Sequence, residues 1–156
     1  MKVEILKQKD NYFLWIDDSL WMWDIESERK IQYNIACNAY GNVLVAGYGL
    51  GIVQKYLYNN PNVESIVTIE ISGKIIEACK NEFNKIYGDY IIEDFYNIFP
   101  RIKYDCVIGY IWKEIVPKSL YDYNNFKSKA LTLIKPDGKI LAWGKEYFEY
   151  LIEKGS

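Results

Sequence analysis

From residue 42 onward, short apolar runs alternate with stretches whose apolar positions recur every three or four residues. Asn42–Ala46 (NVLVA) is an apolar run ending in glycines, the pattern of a strand covered on both faces. Residues 50–59 follow as a helix with Ile52, Val53, Tyr56 and Leu57 on one side. Ser65–Glu70 (SIVTIE) reads as a second strand. Lys74–Ile86 reads as an amphipathic helix carrying Ile75, Ile76, Cys79, Phe83 and Ile86 on its inner face. Tyr90–Ile92 is a brief third strand and Tyr104–Tyr110 (YDCVIGY) a fourth. A helix over roughly 118–134, a turn at Lys135-Pro-Asp-Gly138, a fifth strand at Lys139–Trp143 and a helix over 145–154 complete the series. Strands alternating with helices predict an α/β fold, a parallel doubly wound sheet with right-handed crossovers.

The first 24 residues follow a different pattern. Tyr12–Asp17 and Leu20–Trp23 are aromatic, strand-like runs separated by Asp17-Asp18-Ser19, which is turn chemistry, so a β-hairpin is expected. Ser27 is placed to cap a helix over about 28–39, with Ile31, Ile35 and Ala39 on one face. The 156 residues amount to one domain, half of them apolar and 17% aromatic, which excludes a disordered chain.

With a net charge of −2, a general nucleic-acid coat is not expected, since that needs a basic face. There is no histidine, and Cys37, Cys79 and Cys106 are far apart. Zinc or copper ligation, a disulfide framework and any Ser-His or Cys-His catalytic unit are thereby disfavoured. The cysteines are expected to be free and buried, which suits a cytoplasmic location. The opening MKVEILKQKD is charged too early for a signal peptide, and no run approaches the ~18 apolar residues of a membrane span. Any general base must be Asp, Glu, Tyr or Lys.

Candidate chemistry gathers where the first strand of the α/β core meets the next helix. Gly47-Tyr48-Gly49-Leu50-Gly51 places three glycines within five residues. Open α/β sheets bind ligands at this point. Glycine there permits φ > 0 and lets a ligand reach the backbone, while the next helix offers free N–H groups. Glu70 follows Gly51 by 19 residues, at the carboxyl end of the second strand, where an acid can accept both hydroxyls of an adenosine ribose. Ile at position 52 breaks the G-x-G-x-x-G pattern of nicotinamide and flavin binders.

The G-x-G-x-G pattern resembles that of the class I S-adenosylmethionine-dependent methyltransferases, and within them the spermidine-synthase-like branch. The resemblance rests on Val43–Gly51, Pro61–Glu70, Ile75–Glu77, Glu93-Asp94, Tyr104–Ile108 and Leu133–Ile140, and covers about residues 27–143. It implies a Rossmann-like three-layer α/β/α sandwich with strand order 3-2-1-4-5. The chain, 1–156, would be a single S-adenosylmethionine-binding domain: an aromatic hairpin at 1–24, then the core at 25–156. By position, Gly47, Gly49 and Gly51 would approach the methionine moiety, with Tyr48 and Leu50 of the same loop also cofactor-binding, and Glu70 would hold the ribose. Ile71 would pack on the adenine and Asp94 take its amino group, with Phe95 beside it. Gln32 either faces the same pocket or is solvated.

Two departures from the family bear on function. Spermidine synthases resemble this chain in the core, yet carry an acid after the fourth strand that serves the attacking amine. Here that stretch reads Ile108-Gly109-Tyr110-Ile111-Trp112. Tyr110 and Trp112 are the remaining catalytic candidates, as aromatic faces for a substrate, or else packing residues. The resemblance also implies a closing pair of strands after the fifth, for which Gly144–Ser156 is too short. The hairpin with Trp15, Trp21 and Trp23 is expected either to cover the open sheet edge, to form a homodimer interface, or to act as a substrate lid. The acids Asp17, Asp18, Asp24 and Glu26 form a further cluster, either solvated or binding an amine. The expected function is methyl transfer from S-adenosylmethionine to a small or exposed acceptor. Aminopropyl transfer, or a subunit that binds the cofactor without catalysis, are the alternatives.

Overall fold

The computed structural model describes residues 1–155. It opens with three antiparallel strands, β1 (Val3–Gln8), β2 (Asn11–Ile16) and β3 (Ser19–Trp23). The expected hairpin is β2–β3. Asp17 and Asp18 turn between them at φ 47° and 64°, the left-handed pair that matches the twist of the flanking strands. β1 was hidden in the sequence by its charges. Its Val3 and Ile5 pack inward against Phe83, while Leu6 and Lys7 are exposed.

The helix α1 (Glu26–Cys37) is present, and Ile35 and Ala39 of the expected face pack on the core, but the buried face is rotated away from Ile31. Glu28, Gln32 and Ala36 point inward, and Ile31 is 40% exposed. Nor does Ser27 cap it: Ile25 holds that position without a side-chain bond. The core continues with β4 (Gly41–Ala46), α2 (Ile52–Tyr58), β5 (Val63–Glu70), α3 (Gly73–Phe83) and β6 (Asp89–Ile92). Then come β7 (Tyr104–Gly109), α4 (Leu120–Leu131), β8 (Ile134–Ala142) and α5 (Lys145–Gly155). The five core strands are parallel in the order β6-β5-β4-β7-β8, which is the expected 3-2-1-4-5.

Successive β4 residues face opposite layers, as a strand's period of two requires. Val43 and Val45 pack with Ala36, Val53 and Leu57 of α1 and α2. Leu44 and Ala46 pack with Phe126, Ala130 and Phe148 of α4 and α5. Trp112 belongs to this second layer. It is 3% exposed, wedged edge-on against Tyr123, Phe126 and Phe148, and its indole N–H donates to the Trp143 carbonyl at 3.1 Å. No helix among the described residues is long and apolar enough to cross a membrane.

Lys135-Pro-Asp-Gly138 does not end the preceding helix as a free turn. It lies within β8 as a bulge, since Tyr104 and Cys106 of β7 oppose Ile134 and Lys139. A proline is tolerated there because β8 is an edge strand. Asp105 pins the bulge. One carboxylate oxygen accepts the Asn42 N–H at 2.8 Å and the other pairs with Lys135 at 3.0 Å. The hydrogen bond from Asn42, then Lys135, hold this carboxyl below its ordinary value of 3.8. A group with a lowered folded value stabilises above its unfolded value and loses that effect as pH falls. Asp105→Asn is therefore expected to cost on the order of 1 kcal/mol at neutral pH. In urea titrations the gap from wild type should close once the pH is taken well below that ordinary value. A gap that persists there would remove the carboxylate from the account.

The N-terminal sheet does not cover the β8 edge, contrary to one expectation. It lies across the carboxyl ends of the core strands. Leu14 and Met22 pack on Leu50, Ile52 and Tyr110, while Val3, Ile5 and Ile16 reach the cluster around Tyr48 and Ile75. Among the cysteines, Cys79 and Cys106 are buried, but Cys37 is exposed.

Candidate active site

The glycine loop leaves β4 with Gly47, Gly49 and Gly51 at φ 93°, 57° and 73°. Each glycine is required by the chain itself. A Cβ on Gly47 would stand 2.5 Å from the Tyr110 carbonyl oxygen, one on Gly49 would run into Met22 Sδ, and one on Gly51 would meet the Tyr48 ring. Polar contacts fix the loop from several sides. Gln54 Nε2 donates to the Gly47 carbonyl at 3.1 Å, and the Cys79 thiol to that of Gly49 at 3.2 Å. Met22 Sδ accepts the Leu50 N–H at 3.3 Å. Burial pushes the Cys79 thiol up to about 12, so it remains a neutral donor.

Above the loop lies a cavity of about 440 Å3, within the roughly 300–1,000 Å3 of small-molecule sites. Gly47, Gly49, Glu70, Ile71, Asp94 and Phe95 all line it. Glu70 is 4% exposed, and its two oxygens accept different backbone donors. Oε1 takes the Tyr48 N–H and Oε2 the Ser72 N–H, both at 2.9 Å. Each oxygen keeps a second lone pair. Ile71 is 71% exposed, an apolar side chain lying open at the rim. Asp94 Oδ1 accepts the Tyr96 N–H at 2.9 Å, and Oδ2 has no protein partner. Phe95 anchors this segment by stacking on Phe126.

Other expected site residues lie elsewhere. Tyr48 turns its ring away from the cavity, and its hydroxyl accepts the Tyr87 N–H at 3.1 Å. Leu50 packs under the N-terminal sheet, and Gly51 backs onto Tyr48. Gln32 is 1% exposed but does not reach the cavity; its amide donates to Glu28 Oε1 at 3.0 Å. Trp112, as described, is a core residue. The acids of the N-terminal sheet brace it: Asp17 Oδ1 accepts the Lys2 N–H and Asp24 Oδ1 the Tyr12 N–H.

Tyr110 forms a wall. Its hydroxyl donates to Glu28 Oε1 at 2.7 Å and its ring lies 5.0 Å from Trp143. Burial first, then the adjacent Glu28, push the phenol well above its ordinary value, so Tyr110 acts as a donor and not a base. Beyond this wall is a second cavity of about 360 Å3, lined by Trp21, Trp23, Glu28, Glu114 and Trp143 among others. Tyr110 and Trp21 border both cavities. Glu28 is buried there with no basic side chain bonded to it. Periodicity gave no sign of Glu28, Trp21 or Met22 in these roles. The only hint was the aromatic density of residues 12–23. Among the described residues no group of side chains able to hold a metal forms.

The fold is shared with S-adenosylmethionine-dependent methyltransferases and spermidine synthases of known structure. The spermidine synthase of Thermotoga maritima superposes with a TM-score of 0.68 at 17% identity, over 90% of this chain and 51% of that one. A methyltransferase from Clostridium acetobutylicum gives 0.55 at 13% identity, over 76% and 50%. DhpI in its SAM-HEP complex gives 0.55 at 16%, over 83% and 59%. The chain thus spans about half the length of the solved structures it matches. No protein-family model and no curated protein matches the sequence.

Proposed function

We propose that this chain is an S-adenosylmethionine-dependent transferase that moves a methyl group to a small acceptor. The observation that carries the reading is the alignment of Glu70, Ile71 and Asp94 along one cavity above the glycine loop. The donor set fits the cofactor. The second lone pairs of Glu70 suit the two ribose hydroxyls, exposed Ile71 suits a flat base, and the open Oδ2 of Asp94 suits an exocyclic amino group. Complexes of DhpI with SAM and with SAH are among the structural neighbours. When bound, the cofactor supplies an electrophilic carbon on a sulfonium.

The chain's part is positioning, which alone lowers such barriers substantially. The second cavity is the acceptor site in this reading, because it meets the first across Tyr110 and Trp21. Tyr110 holds its proton and offers a ring face and a fixed hydroxyl. Glu28, carried in from α1, is the buried acid of this cavity; Ile108–Trp112 supplies none, and Glu114, which also lines the cavity, is exposed.

Aminopropyl transfer is the second reading. It draws support from the spermidine synthase superposition, which spans more of the chain than the methyltransferases do. Titration calorimetry with S-adenosylmethionine, S-adenosylhomocysteine, decarboxylated S-adenosylmethionine and NAD separates the two. Micromolar binding of the first two is expected, with NAD silent. A preference for the decarboxylated form would favour aminopropyl transfer, and silence toward all four would overturn both readings.

A further inference from the structure

The residues of the glycine loop that turn away from the first cavity face a third one. Tyr48, Leu50 and Gly51 form one wall of a space of about 360 Å3 whose lining is distinct from that of both sites described above. Three cations from three separate parts of the chain converge on it: Arg29 of α1, Lys55 of α2, and Lys85 beyond α3. None of the three forms an ion pair among the described residues. Arg29 spends one guanidinium nitrogen on two neutral acceptors, the Asp24 carbonyl and Asn11 Oδ1. Lys85 lies over the rings of Tyr58 and Tyr87, at 4.6 and 4.7 Å. The Lys55 ammonium has no hydrogen bond, ion pair or ring contact among the described residues. The only acid in the lining is Asp24, whose Oδ1 is already held by the Tyr12 N–H at 2.6 Å.

Lysines and arginines on a protein of net charge −2 have many carboxylates to choose from, and they gather here around almost none. Clefts lined by one sign of charge concentrate counter-ions of the other. The remaining walls are aromatic: Tyr12 and Phe83 meet edge to face at 4.8 Å, with Tyr56 and Tyr87 beside them. An anion with an apolar, flat body matches both features. Its charge would lie among Arg29, Lys55 and Lys85, and its body against the rings.

We propose that this third cavity binds a small aromatic anion, a phosphate monoester on a flat ring. The site is independent of the cofactor reading, since it shares no lining residue with the first cavity. Phenyl phosphate and inorganic phosphate are suitable probes, because neither carries the adenosine that the first cavity is proposed to take. In calorimetry with the full chain, phenyl phosphate is expected to bind saturably and more tightly than inorganic phosphate. The double variant Lys55→Glu/Lys85→Glu should weaken it by about tenfold or more, as reversing two charges facing a dianion implies. Both lysines are exposed, so the variant should melt as wild type does. S-adenosylhomocysteine titrated into the same variant reports separately on the first cavity. The proposal is overturned if phenyl phosphate fails to saturate, or if the folded double variant binds it as tightly as wild type.

Discussion

Glu70→Ala is expected to lower affinity for S-adenosylhomocysteine at least tenfold, because charge-assisted hydrogen bonds of about 1.5–3 kcal/mol each are lost. The loss has two origins. The proposed ribose acceptors disappear, and the Tyr48 and Ser72 amides, held at 2.9 Å in the wild type, lose their partner. A buried donor left unmade costs about 1–3 kcal/mol, so the loop that forms the cavity floor should loosen as well. Glu70→Gln separates the two effects. It retains one acceptor oxygen for a backbone amide but offers the other position as a donor, and intermediate affinity is expected. Calorimetry on protein verified as folded by circular dichroism decides the matter. Wild-type affinity in Glu70→Ala would sink the assignment of the first cavity.

Gly47→Ala is expected to be the most destabilising single methyl that can be added to this chain's glycine loop. Its φ of 93° already strains any residue with a Cβ, at roughly 1–2 kcal/mol. The new carbon would also stand 2.5 Å from the Tyr110 carbonyl oxygen, a backbone atom anchored where β7 ends. That oxygen cannot move without disturbing the strand next to β4. Total losses above about 3 kcal/mol follow, in the range reserved for backbone strain and overpacking. Gly49→Ala meets the same φ penalty but a softer obstacle, the thioether of Met22. Methionine has rotatable bonds to spare, so Gly49→Ala should cost less. Its damage should reach the N-terminal sheet through the Met22 contact with Leu50, more than the cofactor site. Urea denaturation of both variants tests the order. Gly47→Ala within about 1 kcal/mol of wild type would show that the loop is not held as described.

The contrast between these two glycines shows how far the sequence could be read. A cluster of three glycines at a strand end announced a turn of unusual backbone conformation, and all three have φ > 0. What each glycine avoids was not legible. The expected reason was ligand approach. The observed obstacles are Tyr110, Met22 and Tyr48, which lie 63, 27 and 3 residues away in sequence.

Helix α1 shows the same limit from another side. Its apolar residues Ile31 and Ile35 suggested an inner face; Ile35 does pack on the core, but Ile31 is exposed while Glu28 and Gln32 are buried. Most polar side chains that turn inward find a hydrogen-bond partner there. The partner is the Tyr110 hydroxyl, 82 residues further along the chain. No local period encodes such a pairing. Gln54 is similar: fully buried on α2, it joins the Gly47 carbonyl to Thr68 Oγ1, and nothing around it in sequence marks it out. Trp112 erred in the opposite direction. It follows Tyr110 by two residues beyond the end of β7, yet it enters the layer of Phe126 and Phe148, whereas Tyr110 borders the two cavities.

By itself, then, the sequence determined the alternation of strands and helices, the parallel sheet and the residues along the first cavity at Gly47, Gly49, Glu70, Ile71, Asp94 and Phe95. Those features are local: periods of two and 3.6, glycines where φ turns positive, acids at strand ends. The tertiary structure alone decided where the N-terminal sheet sits, which helix face is buried, and that Trp21, Glu28 and Tyr110 share a second cavity. These depend on contacts between residues far apart in the chain, formed only when the layers close on one another.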